Sequence, residues 1–165
     1  MPQEIRERAR RIKMIIMDVD GVLTDGRIIL GSEGEELKNF YVQDGQGIAL
    51  ALQKGLIIAL VSGRISKAVE RRAKELKIKE VYQNISKKIE VYSRLLKKYS
   101  LKDEEVAYIG DDLGDIPPLK KAGLALAPVN GVEEVRDIVH YVTRASGGRG
   151  AVREAIDIIL KAKQL

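Results

Sequence analysis

Short strand-like runs recur along this chain at intervals that leave room for one helix each, and this alternation restricts the fold more than any other feature. The runs are Ile12–Met17, Leu56–Val61, Glu80–Tyr82, Val106–Ile109 and Leu124–Ala127, with a further one at Val139–Thr143. Each stops at a polar residue or a glycine, as strands covered on both faces do. Between them the apolar positions follow a helical period. Ile65–Leu76 repeats at 65, 68, 69, 73 and 76, and Ile89–Tyr99 at 89, 91, 92, 95, 96 and 99. Ser86 is placed to cap the second of these, with Glu90 one turn later. Gly47–Gln53, Leu113–Ala122 and Ala151–Lys161 complete the helical set. The pattern predicts an α/β fold: a three-layer, doubly wound, mostly parallel sheet with helices on both faces.

One stretch departs from the alternation. Arg27–Val42 has two extended halves around Gly31, Ser32, Glu33 and Gly34, which reads as a β-hairpin appended to the sheet. Glu4–Arg11 reads as a solvated amphipathic helix, with membrane-surface binding the lesser alternative. There is no internal repeat, linker or low-complexity tract. With 165 residues, the expectation is a single domain over 1–165 carrying the hairpin at about 27–42.

Composition narrows the chemistry. The chain has no cysteine and one histidine, which excludes disulfides, thiolate metal sites and cysteine nucleophiles, and removes most zinc chemistry. Catalysis would therefore use carboxylates, lysine, hydroxyls or a hard metal. The longest apolar runs fall far short of the roughly 20 residues that span a bilayer, and no export signal opens the chain, so a cytoplasmic protein without a membrane partner is expected. The net charge of +5 comes from 29 Lys and Arg interspersed with 24 Asp and Glu. Aromatic residues are 4% of the chain and do not interleave with basic ones, so no nucleic-acid partner is expected. His140 reads as structural.

In an open parallel sheet, loops leaving the carboxyl ends of the strands share one rim, where ligands bind. The unusual polar residues fall at those exits: Asp18 and Asp20 after the first strand, Ser62, Gly63 and Arg64 after the second, and Asp111, Asp112 and Asp115 after the fourth. If the chain stays extended, Asp18 and Asp20 point to one side, and Gly21 permits the turn that follows. Two carboxylates so close either share a proton or face a cation, unless one is simply a turn aspartate. Asp111, Asp112 and Asp115 suit a hard cation such as magnesium, with helix capping a rival account for one of them. Ser62 and Arg64, at a strand-to-helix turn, form an anion cradle or an ordinary cap. Lys88 reaches the same rim or stays solvated. Together these groups supply what phosphoryl transfer needs: a nucleophile, an acid, a divalent cation and positive charge on the phosphate oxygens.

DVDGVLTDG at 18–26, SGR at 62–64, Lys88 and GDDLGD at 110–115 resemble, in order and spacing, the four motifs of the haloacid dehalogenase-like superfamily. DGQGI at 44–48 and YVTRASGGRGAVRE at 141–154 are similar to the phosphatases of octulosonate 8-phosphate within it, a branch that also holds phosphatases of nine-carbon sialic-type sugar acids. The resemblance covers nearly the whole chain. It implies a magnesium-dependent phosphomonoesterase of a sugar acid phosphate, with Asp18 as nucleophile and Asp20 as acid and then base. It further implies Mg2+ on the Asp18 carboxylate, the Asp20 carbonyl and Asp111, with Asp112 and Asp115 supporting that shell. Ser62 and Lys88 would bind the phosphoryl group.

The gaps between motifs hold no cap domain. The branch implies a homotetramer assembled through the hairpins, in which a neighbouring subunit covers the site. Arg64, Arg149 and Arg144 become candidates for the substrate carboxylate, with Gly63 beside Arg64. Gly147, Gly148 and Gly150 would let their loop approach a ligand, or simply make it flexible. Two other classes compete. A signalling receiver would carry its acidic pair on the first strand and its phosphorylated aspartate on the third, the reverse of the order here. A non-catalytic oligomerisation or binding module would not need every catalytic side chain that this chain keeps.

Overall fold

The computed structural model describes residues 1–165. At its centre lies β1 (Met14–Met17), whose four residues are fully buried because both faces of the strand are covered. Ile15 and Met17 point into one hydrophobic core and Met14 and Ile16 into another, the two-residue period of a strand between two layers. Parallel neighbours flank it: β4 (Ile57–Val61) pairs Leu60 with Met17, and β6 (Val106–Ile109) pairs Ile109 with Met17. Beyond these come β5 (Glu80–Tyr82) on one side, and β7 (Leu124–Ala127) and β8 (Tyr141–Val142) on the other. The sheet order is β5-β4-β1-β6-β7-β8, every pair parallel.

Helices α1 (Gln3–Arg11), α2 (Val42–Gln53), α3 (Lys67–Glu75) and α7 (Ala151–Lys163) cover the first face. The second is covered by α4 (Lys88–Tyr99), α5 (Ile116–Lys121) and α6 (Glu133–Arg136). The chain builds outward from β1 through β4 to β5, then returns to the other side of β1 to begin β6. Right-handed crossovers put helices on opposite faces for the two directions. The reversal leaves a crevice between the carboxyl ends of β1 and β6, the place where doubly wound sheets bind ligands. No helix is long and apolar enough to cross a membrane.

The three-layer α/β architecture matches the sequence reading, and several boundaries differ. The hairpin is short: β2 (Ile29–Leu30) and β3 (Glu36–Leu37) pair Ile29 with Leu37 and Leu30 with Glu36, and Gly34 turns at φ +86°. Its second arm ends at Phe40, bridged to Thr24, and Val42 already belongs to α2, five residues before the helix expected at Gly47. Gly45 and Gly47 masked that start, because glycine weakens a helical pattern even where close packing against Arg72 and Arg153 leaves no space for a side chain. Ser86 does not cap α4; Lys87 holds that position without a side-chain bond. The opening helix is not simply solvated, since Ile5 and Ala9 are buried.

Candidate active site

The site is built where β1, β4 and β6 end. Asp18 follows β1 directly: its N–H donates to the Ile109 carbonyl of β6 at 3.0 Å, so the sheet ladder fixes its backbone. Its Oδ1 accepts from the Val19 N–H at 2.7 Å, and its Oδ2 lies 2.9 Å from the Lys88 ammonium. Lys88, the first residue of α4, also donates to Asp115 Oδ1 at 2.8 Å. This one buried cation therefore joins carboxylates from two strand exits.

Asp115 is fully buried and saturated. Oδ1 accepts from Lys88 and from the Tyr108 hydroxyl, each at 2.8 Å, and Oδ2 accepts from the Asp111 and Asp112 N–H groups at 3.1 and 3.3 Å. With its lone pairs occupied, it shapes the 111–115 loop. Asp112 is exposed and caps the short turn Leu113–Asp115 through the Leu113 N–H, so capping and clustering both operate here.

Asp111 is different. Its Oδ1 is buried and has no hydrogen-bond partner. One oxygen each from Asp18, Asp111 and Asp115 lies within 4.8 Å of the others. Three carboxylates at this separation repel, and one lysine does not balance them. Burial, reinforced by the neighbouring Asp115, lifts the Asp18 carboxyl to about 6. Burial with Asp18 and Asp115 nearby lifts Asp111 to about 8. The Asp20 carbonyl also accepts no hydrogen bond from the chain. Hard oxygen donors without histidine or cysteine, one of them orphaned, fit a magnesium-type cation.

Gly21 makes the arrangement sterically feasible. It turns at φ +89°, and a Cβ there would lie 2.0 Å from Asp111 Oδ2. The two carboxylates that follow β1 have different partners. Asp18 enters the Lys88 cluster, whereas Asp20 faces the hairpin, with Oδ1 2.5 Å from the Lys38 ammonium and Oδ2 3.9 Å from Arg64. Strand alternation ends with β1 at Met17, so it does not extend to Asp20.

Ser62 ends the approach from β4. It is buried, and its hydroxyl accepts from the Arg64 N–H at 3.2 Å, a local turn contact of the kind an ordinary cap makes. Gly63 and Arg64 are exposed, and the Arg64 guanidinium pairs with Glu36 of the hairpin. Arg144 and Arg149 line a groove of about 750 Å³ along α7 whose lining includes none of Asp18, Ser62, Lys88 or Asp111, while the glycine loop leading into Arg149 packs against Gly21. Arg144 is 90% exposed and 3.5 Å from Glu154. The glycine loop meets backbone rather than open space. A Cβ on Gly147 would lie 1.8 Å from the Gly21 carbonyl, and the Gly148 N–H donates to the Val22 carbonyl at 3.1 Å.

Sequence reasoning missed Tyr108, Lys38, Glu36 and Asn130. Tyr108 had a signal, a phenol within an aliphatic strand, which needs a partner when buried. Glu36 and Lys38 alternate with Leu37, a two-residue period that places both on one side of β3. Asn130 bridges two loops, donating to the Gly21 carbonyl at 3.3 Å and accepting from the Gly147 N–H at 2.7 Å. Nothing in its local sequence announces this.

Comparisons with known proteins agree with the geometry. A family model for haloacid dehalogenase-like hydrolases matches residues 78–156. The 3-deoxy-D-manno-octulosonate 8-phosphate phosphatase of Escherichia coli K12 is 45% identical over 160 residues, spanning 97% of this chain and 85% of that protein. The crystal structure of the Yersinia pestis phosphatase of the same name superposes with a TM-score of 0.98 at 43% identity, covering 99% of this chain and 89% of that one. The Moraxella catarrhalis enzyme, solved in complex with magnesium, phosphate and KDO, gives a TM-score of 0.97 at 45% identity, covering 99% and 94%. The chain belongs to the haloacid dehalogenase-like hydrolases and, within them, to the branch that holds the 3-deoxy-D-manno-octulosonate 8-phosphate phosphatases.

Proposed function

We propose that this protein is a magnesium-dependent phosphatase that hydrolyses a sugar acid phosphate, 3-deoxy-D-manno-octulosonate 8-phosphate, to the free sugar acid and phosphate. The observation that carries this reading is the Asp18, Lys88, Asp111 and Asp115 cluster, in which one buried carboxylate oxygen has no partner. Asp18, Asp111 and the Asp20 carbonyl would hold Mg2+, which supplies positive charge beside the phosphoryl oxygens and offsets repulsion between an anionic nucleophile and an anionic substrate.

Asp18 attacks phosphorus, the bond from phosphorus to the sugar oxygen breaks, and Asp20 gives its proton to the departing alkoxide. The aspartyl-phosphate is then cleaved by water, whose proton Asp20 takes, releasing phosphate and restoring Asp18. Lys88 and the Ser62 hydroxyl bind the phosphoryl oxygens. Lys88 also keeps Asp18 aimed, because Asp115 anchors its ammonium from the far side. Arg64 and Arg149, with Gly63 at the turn, recognise the substrate carboxylate. Asp112 and Asp115 hold the metal loop in shape.

A cytoplasmic homotetramer is the assembly that fits this reading. Ile28 and Leu30 are exposed on one face of the hairpin and Leu37 on the other, and exposed apolar side chains on a protruding element mark a contact surface. The neighbouring subunit would cover the site, which no cap domain covers in this chain. A phosphate-release screen over sugar acid phosphates, with magnesium and with chelator, tests the function. Turnover of the eight-carbon substrate that vanishes with chelator is expected. Preference for a nine-carbon acid phosphate would move the chain to the sialic-type branch, and no turnover of any phosphomonoester would leave a binding module.

A further inference from the structure

Leu37 points outward on β3, while Glu36 and Lys38, one position to either side, turn toward the rim. The Lys38 side chain is 1% exposed, 2.5 Å from Asp20 Oδ1 and 3.0 Å from Glu36 Oε1. Glu36 pairs in turn with Arg64, whose Nε is 3.9 Å from Asp20 Oδ2. Two carboxylates and two cations thus close a ring across three segments distant in sequence: the β1 exit, the hairpin and the β4 exit. The ring is neutral as a whole, so it holds Asp20 without surrounding it by uncompensated positive charge.

Burying a lysine ammonium costs several kcal/mol unless it is paired. A surface hairpin serving assembly alone has no use for such a group on its inner side. We infer that Lys38 is a positioning residue for the reaction, fixing the Asp20 carboxyl where it can reach the leaving oxygen, and that Glu36 steadies both Lys38 and Arg64. Across the hairpin Leu30 pairs with Glu36 and Ile29 with Leu37, so the exposed Leu30 shares a face with the charged residues, and the seating of the hairpin sets the geometry of the proton-transfer group. This inference rests on the acid and base role proposed above for Asp20. Misplacing a reacting group by about 1 Å can cost about 100-fold in rate.

The test is a double-mutant cycle on phosphate release by the magnesium-loaded enzyme, using the sugar acid phosphate and p-nitrophenyl phosphate. Lys38→Met should lower kcat on the sugar substrate by at least about tenfold. KM should change little, and so should the assembly mass in light scattering. The loss should be smaller on the aryl phosphate, whose leaving group needs less protonation, and Lys38→Arg should recover part of it. In an Asp20→Asn background, Lys38→Met should cost nothing further, because the group it positions is gone. Wild-type kcat for Lys38→Met, equal losses on both substrates, additive losses in the cycle, or a loss that tracks a change in mass would each overturn the inference. Full turnover by Asp20→Asn alone would instead remove the acid and base reading on which it rests.

Discussion

Asp18 and Asp115 sit on opposite sides of one lysine, and their different partners decide their chemistry. Asp115 spends both oxygens on four donors, so its carboxylate is held and chemically quiet. Asp18 keeps Oδ2 against Lys88 at 2.9 Å at the mouth of the crevice, a fixed anion suited to attack. Asp18→Asn should therefore reduce phosphate release by about three orders of magnitude or more, since an amide cannot form the acyl phosphate, while the far-ultraviolet circular dichroism stays unchanged. His140 is decided by a single contact as well. Its Nδ1 accepts the Ala125 N–H at 2.9 Å, which requires that nitrogen to be unprotonated. Burial first, and then the Arg8 charge against the opposing Glu4, hold the imidazole below its usual range. Folding thus favours the neutral ring. Its contribution to stability is complete above about pH 6.5, the ordinary histidine value, and is lost as the pH falls through the lower folded value. Thermal melts between pH 7.5 and 5 should show a steeper acid-side fall for the wild type than for His140→Gln, whose amide oxygen accepts the same N–H without titrating.

At the scale of elements, α7 is secured from a distance. Asp44, buried near the start of α2, accepts from the Gly150 N–H at 3.3 Å and the Arg153 N–H at 2.8 Å, so one helix caps another more than a hundred residues later. Asp44→Ala should cost about 1–2 kcal/mol in urea unfolding and raise hydrogen exchange in the 144–150 loop, which precedes the cap. The strands and the rim clusters were legible in the sequence because each obeys a local rule: an apolar run ends and a polar group follows. The four dispersed motifs converge because parallel strands place all their exits on one edge. What could not be read locally is how residues remote in the chain meet. The start of α2 was hidden by Gly45 and Gly47, whose helical geometry is stabilised by tertiary packing. The glycine loop at 147–150 suggested approach to a ligand or plain flexibility, yet at Gly147 and Gly148 the space is filled by the Gly21–Asp25 backbone. Asp20 illustrates the same limit, since its partners Lys38 and Arg64 come from the hairpin and the β4 exit.

For the molecule as a whole, the strand order carries an electrostatic consequence. Placing β6 beside β1 brings Asp111 and Asp115 to Asp18, so folding concentrates negative charge at the point where the sheet reverses direction. A chain with 29 basic and 24 acidic residues has cations to spare, yet only Lys88 enters this cluster. A buried Asp111 oxygen without a partner is a destabilising feature of the fold that a divalent ion would convert into a binding site. Magnesium that binds the folded chain and not the unfolded one should stabilise it by about 2.7 kcal/mol at 100 times Kd, which in a domain of this size raises Tm by roughly 2–4 °C per kcal/mol. Asp111→Asn separates the two effects. Burial and its acidic neighbours hold Asp111 at about 8, so folding at neutral pH must protonate it; the amide removes that cost and should raise the Tm of the metal-free protein above that of the wild type, and the same change should abolish most of the increment produced by magnesium. Differential scanning calorimetry of both proteins, with chelator and across a magnesium series, reads the two shifts independently. A wild type indifferent to magnesium, or a variant destabilised in chelator, would show that the carboxylates at the reversal point are held apart by something other than a shared cation.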